Sequence, residues 1–180
     1  GETPDLAASL DTNYNPLVRR LAALPVPVVA AVNGVAPGAG AALAIGCDIV
    51  LAARSARFQF AFARVALGPD SGTSWLLPRL IGQGRALALA LSAETVDAEE
   101  ARTMGLVWKV VDDEALEVEA TRLATDFANG PRAALSAIKQ QIRAAASQSL
   151  DEALDAERET QGRLGYHADY REAVTAFAAK

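Results

Sequence analysis

From Pro25 to Ala53 the chain carries one charge, Asp48. A stretch this long and apolar has the length to span a bilayer. It is interrupted, however, by Pro25, Pro27, Asn33, Gly34, Pro37, Gly38, Gly40 and Gly46. Those residues divide it into a strand, a turn, a short helix and a second strand, so a buried core is expected and a membrane span is not. Pro27–Val32 is apolar and rich in β-branched residues, as a strand covered on both faces must be. Asn33-Gly34 turns the chain. Gly38–Ala44 reads as the first turns of an alanine-rich helix, and Cys47–Ala53 as another buried strand.

The rest of the chain extends this alternation. Leu10, Tyr14, Leu17, Val18, Leu21 and Leu24 recur at helical spacing, and the helix they predict stops before Pro25. Phe58 and Phe60 alternate with polar neighbours in a shorter strand. Beyond a loop at 68–72, helices are expected at about 73–80 and 83–91. Asp97 is a natural N-cap for a helix through Met104, and Gly105 would end it. A strand follows at 107–111. Helical segments then run at about 114–128, 131–146, 150–164 and 169–179. Residues 1–111 are therefore read as a parallel α/β core and 112–180 as a helical region.

Composition removes several classes of function. The 180 residues suit one domain, and hydrophobic residues at 51% are enough for a real core. The net charge is −5, and no run of Lys or Arg suggests a nucleic-acid surface. Cys47 is the single cysteine, so neither an intramolecular disulfide nor a cysteine metal site can form. Its apolar flanks suggest an inert buried thiol, and a reducing cytoplasm is the simplest setting. The opening residues do not read as a signal peptide.

The chemistry concentrates around two segments. At Pro37-Gly38-Ala39-Gly40 a strand enters a turn of small residues and leaves as a helix. Small side chains there leave the first helical amides open, and such amides stabilise negative charge. The Gly-Lys-Ser/Thr of a phosphate loop is missing, and so is the dinucleotide glycine pattern. Taken alone, the segment reads first as a device for tight strand–helix packing. The second segment is Gly68-Pro-Asp-Ser-Gly-Thr-Ser-Trp75, in which Asp70 is either a helix cap or a carboxylate free for chemistry.

Together these residues resemble a known signature. Pro27-Val-Val-Ala-Ala-Val-Asn-Gly34, Gly38-Ala-Gly40 in place of a glycine triplet, Cys47-Asp-Ile-Val50 and the Asp70 segment are similar to those of the enoyl-CoA hydratase/isomerase (crotonase) superfamily. The resemblance implies a ClpP/crotonase-like core of repeated ββα units, with a C-terminal helical region. It also implies that the N-terminal portion of that fold is absent from this chain. The substrate implied is an acyl-CoA thioester, so coenzyme A arrives with the substrate and no separate cofactor or metal is expected. A homotrimer or dimer of trimers is implied, with the C-terminal helices at the interface.

Residue by residue, the resemblance makes the backbone N–H of Ala39 one donor of an oxyanion hole. Pro37, Gly38, Gly40, Phe62, Val65 and Leu67 become substrate-binding positions. The family's hydratases carry two glutamates at positions that here are Ala42 and Phe62. A methyl group and a phenyl ring cannot activate water, so isomerisation is expected instead, with Asp70 moving the proton. Asn15-Pro-Leu-Val-Arg-Arg-Leu-Ala22 and Asp169-Tyr-Arg-Glu-Ala-Val-Thr-Ala-Phe177 extend the resemblance to a particular branch. Its isomerases act on the ring epoxide of an aromatic acyl-CoA in bacterial phenylacetate degradation. Trp75 and Trp108 are expected in the core, Asp48 in a structural hydrogen bond, and His167 in solvent.

Overall fold

The computed structural model describes residues 5–178. These residues form two compact units, one comprising Val28–Ala124 and the chain up to Leu24, the other Pro25–Pro27 and the chain from Thr125 onward.

The first unit opens with α1 (Leu6–Ser9), capped by the Asp5 carboxylate, which accepts from the Ala8 N–H at 2.9 Å. A π-helical turn, Leu10–Tyr14, leads into α2 (Asn15–Ala23), which stops before Pro25 as its sequence requires. Next come β1 (Val29–Val32), β2 (Val35–Pro37), α3 (Ala39–Gly46), β3 (Ile49–Ala53) and β4 (Arg57–Gln59). After α4 (Thr73–Ile81) and α5 (Gln83–Ser92), the chain forms β5 (Thr95–Asp97), α6 (Ala98–Met104), β6 (Lys109–Val111) and α7 (Leu116–Ala128).

Two three-stranded sheets organise this unit. One has the order β1-β3-β6 and is parallel throughout, with Val29 opposite Ile49 and Leu51 opposite Lys109. The other is β2-β4-β5, with β2 parallel and β5 antiparallel to β4. The central strand β3 buries Val50 through Ala53, which is why that segment is uninterruptedly apolar. Phe58 and Phe60 are fully buried, and α4 turns Thr73, Leu77 and Ile81 inward at four-residue spacing. Asp97 caps α6 by accepting from the Glu100 N–H, and Gly105, at φ 98°, ends it. A Cβ at Gly105 would also approach the Leu80 carbonyl oxygen at 3.3 Å.

The sequence reading needs three corrections here. The three-residue strands β2 and β5 were not expected: β2 lies in what reads as a turn, and the last residue of β5 doubles as the cap of α6. Trp75 and Trp108 do not enter the core, being 49% and 60% exposed. On α4 the inward stripe already belongs to Thr73, Leu77 and Ile81, so Trp75 projects elsewhere and carries the Arg79 guanidinium 4.0 Å above its ring. Cys47 is half-buried, its thiol donating to the Leu43 carbonyl at 3.4 Å.

The second unit is helical, with α8 (Arg132–Ala144), α9 (Leu150–Leu164) and α10 (Ala168–Ala178) following the end of α7. The buried Lys139 ammonium donates to the Val26 carbonyl at 3.0 Å and so ties the Pro25–Pro27 segment to α8. A capping box starts α9, with Ser149 and Glu152 satisfying each other's backbone N–H groups. His167 is exposed at the start of α10, beside Asp169 at 3.3 Å. Among the described residues no helix is long and apolar enough to cross a membrane, and no group of three His, Cys, Asp or Glu is placed to hold a metal ion.

Candidate functional site

The strands β2 and β4 run in parallel, so both deliver their following segments to the same edge of the sheet. Beyond β2 lies the glycine turn, and beyond β4 the 3-10 turn Ala61–Val65 that contains Phe62. Ligands of parallel sheets collect at such carboxyl-terminal edges.

Gly38 makes the first turn possible. Its φ of 50° and ψ of −115° are open to glycine and strained for other residues. Its N–H donates to the Gln59 carbonyl at 2.8 Å, which locks the turn to β4. The first bond closing the new helix runs from the Ala42 N–H to the Gly38 carbonyl at 3.0 Å. The amides of Ala39, Gly40 and Ala41 therefore have no intrahelical acceptor, as at any helix start. Ala41 and Ala42 are fully buried, while Pro37 and Gly40 are exposed. A Cβ at Gly40 would meet Pro37 and Ala36 only at ordinary contact distances of 3.7 and 4.0 Å. Pro37 and Gly40 also border a cleft of about 420 Å³ against Leu17 and Leu21 of α2 and Leu43 of α3.

Asp70 opens a tight turn. The Thr73 N–H donates to the Asp70 carbonyl at 2.8 Å, across Ser71 at φ 51° and Gly72 at φ 83°. Two successive positive φ values mark a type I′ geometry. The N-cap of α4 is Gly72, and no side chain caps that helix. The capping alternative for Asp70 is thus not what the structure shows. Its Oδ1 is buried without a hydrogen-bond partner. Next to it, Pro69 and Thr73 form part of the wall of an apolar cavity of about 400 Å³ completed by Leu77, Pro78, Ala86 and Leu87.

The other expected positions separate. Phe62 is packed into the core at 5% exposure, whereas Val65 and Leu67 are 65% and 44% exposed. Asp48 behaves as a structural residue: its carboxylate accepts from the Val28 N–H at 2.8 Å, which registers β1 against β3. The sequence reading missed Ser71 and Thr73, whose hydroxyls are buried and unpartnered next to Asp70. Only the Asp-Ser-Gly order hinted at this turn, because a serine does not advertise a positive φ.

Comparison with known proteins identifies the family and the fold. The model of the enoyl-CoA hydratase/isomerase family matches residues 1–180. The 1,2-epoxyphenylacetyl-CoA isomerase of Escherichia coli (strain K12) is 54% identical over 180 residues, covering 100% of this chain and 69% of that protein. The 2,3-dehydroadipyl-CoA hydratase of the same organism is 36% identical over 176 residues, covering 98% of this chain and 69% of its own length. Among solved structures, an enoyl-CoA hydratase from Polaromonas sp. JS666 superposes with a TM-score of 0.93 at 34% identity, covering 99% of this chain and 69% of that one. The described residues thus have the crotonase fold, and the chain spans about two thirds of the length of these relatives.

Proposed function

The chain belongs to the enoyl-CoA hydratase/isomerase family, and from that premise we propose that it isomerises an acyl-CoA thioester rather than hydrating one. Removing a proton adjacent to the thioester carbonyl, or conjugated with it, places charge on the carbonyl oxygen. In this reading the Ala39 N–H, at the start of α3, stabilises that oxygen, and a donor of this kind contributes on the order of 3 kcal/mol. Asp70 takes the proton from one carbon and returns it to another, so that the double bond moves and the carboxylate is regenerated. The same proton shuttle serves a ring epoxide: the C–C bond between the two oxygen-bearing carbons breaks while both C–O bonds are kept, and the proton taken from the carbon next to the thioester returns to a ring carbon, giving a seven-membered ring isomer.

The observation that carries this reading is the Asp70 carboxylate, which caps no helix and keeps a buried oxygen without a partner. Ala42 and Phe62 support it from the other side. Both are buried in the core, so neither position offers a group to activate water. The relative named as an isomerase of an epoxyphenylacetyl-CoA favours an aromatic acyl group. Hydration is the second reading, favoured by the hydratase names among the relatives. Neither reading calls on a metal or redox group, since coenzyme A comes with the substrate, and a CoA thioester suits a cytoplasmic enzyme. A homotrimer or dimer of trimers is proposed to cover the apolar surface of the helical unit, where Ile142, Leu150 and Phe177 are exposed at 71%, 75% and 84%.

The test presents the protein with a 3-enoyl-CoA and with crotonyl-CoA. Isomerisation of the first at more than ~100-fold the rate of hydration of the second is expected, a margin within the reach of one positioned acid–base group. Hydration that equals or exceeds isomerisation overturns the proposal in favour of the second reading.

A further inference from the structure

The turn from Asp70 to Thr73 sits against its own stability. Ser71 Oγ and Thr73 Oγ1 are buried and make no hydrogen bond, in residues only 2% and 1% exposed. Asp70 Oδ1 shares that condition. Among the described residues, one other buried side-chain polar atom lacks a partner, Gln141 Nε2 in the helical unit. Three of the four therefore fall within four consecutive residues. Ser71 adds a φ of 51°, where an L residue is disfavoured. Buried polar groups are normally paired, and both departures are expected where a partner has yet to arrive.

We propose that Ser71 and Thr73 are specificity-determining residues whose hydroxyls receive an oxygen atom carried by the acyl group, beside the Asp70 carboxylate. The inference rests on the acyl-CoA reading above and names its substrate class: acyl groups bearing a hydroxyl, ether or epoxide oxygen. The chemistry separates the roles. A carboxylate only accepts hydrogen bonds, so Asp70 alone offers nothing to an ether or epoxide oxygen, whereas a hydroxyl donates as well as accepts. Thr73 and Pro69 already wall the apolar cavity of about 400 Å³, which suits a ring or short chain. Both residues are 2% exposed or less, so the acyl oxygen reaches their hydroxyls when the turn opens. That turn is inexpensive to open, because Ser71 gains by leaving its left-handed conformation.

Two variants test this without endangering the fold. Ser71→Gly removes one hydroxyl and relieves the backbone, and Thr73→Val removes the other at nearly constant shape. The full chain is titrated calorimetrically with phenylacetyl-CoA and with 2-methoxyphenylacetyl-CoA, whose ether oxygen accepts a hydrogen bond and cannot donate one to Asp70. Wild type is expected to bind the ether-bearing thioester ~10-fold more tightly, the scale of one well-made hydrogen bond. Each variant should reduce that preference to within about threefold while melting at or above the wild-type temperature. A preference that survives both substitutions overturns the inference, as does wild type binding both thioesters equally. Variants that melt well below wild type also overturn it, since the hydroxyls then serve the fold, for instance through a buried water. Binding of neither thioester by wild type refutes the acyl-CoA reading itself, and this inference with it.

Discussion

The two units of the molecule are stabilised in different ways. In the first, strands and helices close around Phe58, Phe60, Leu51, Leu77 and Val96, all at 2% exposure or less. In the second, neither α9 nor α10 contains a buried residue, and Leu150, Leu154, Tyr166 and Phe177 are all more than half exposed. The first unit follows the ordinary logic of a hydrophobic core. The second shows local devices such as the capping box of α9. The candidate site sits entirely on the self-sufficient unit, where a rigid scaffold can aim backbone amides and a carboxylate.

The largest expected effect separates the units directly. Phe58→Ala should cost about 3–5 kcal/mol in urea unfolding, as for a large aromatic lost from a closed core. Leu154→Ala on α9 should cost less than about 1 kcal/mol, because that side chain is already half in solvent. Equal losses would erase the distinction drawn here. An intermediate effect is expected at Gly38→Ala. The added Cβ meets nothing within 4 Å, so the loss of about 1–3 kcal/mol comes from φ alone. Isomerase activity should fall with it, because the amide of Ala39 is re-aimed; a stable, fully active variant would show that the turn tolerates other conformations.

The smallest effect lies in the helical unit. Ser149→Ala should cost about 1 kcal/mol, the usual value of an N-cap. Its partner Glu152 is held below the ordinary carboxylate range by hydrogen bonds, first from the Ser149 backbone N–H and then from its hydroxyl. A carboxylate whose folded pKa is depressed contributes stability above its unfolded pKa and loses it as pH falls through the folded value. Acid melting of wild type should show this loss in α9, and Glu152→Gln should remove that part of the pH dependence. An unchanged acid limb in Glu152→Gln would show that the box does not hold the helix start.

Much of the first unit was legible from its apolar runs, although only β3 is covered as expected: β1, read as a buried strand, buries none of its four residues and leaves Ala31 exposed because it lies at the edge of its sheet. Val29–Val32 and Ile49–Ala53 announce themselves, and Asp97 and Gly105 mark α6 by known end chemistry. The strands β2 and β5 were not legible, since three residues carry no periodicity and both segments resemble turns. The tryptophans misled because their spacing suggested core positions, whereas their exposure depends on which face of α4 and which end of β6 they occupy. The glycine turn was readable from Gly38 and Gly40. The orphaned hydroxyls of Ser71 and Thr73 were not, because hydrogen-bond satisfaction belongs to the folded surroundings and leaves no trace in residue type.

The central claim is that the Asp70 carboxylate, which caps no helix and has one buried, unpartnered oxygen, moves the proton. It is tested most directly by the rate at which Asp70→Asn converts a 3-enoyl-CoA to its 2-enoyl isomer, compared with wild type. The substitution keeps the shape of the side chain and removes its basicity. A fall of ~10²–10⁴-fold, with the melting temperature unchanged or raised, is the predicted result for a general acid–base group. A rate within about threefold of wild type would contradict the account, because the proton would then be moving through some other group.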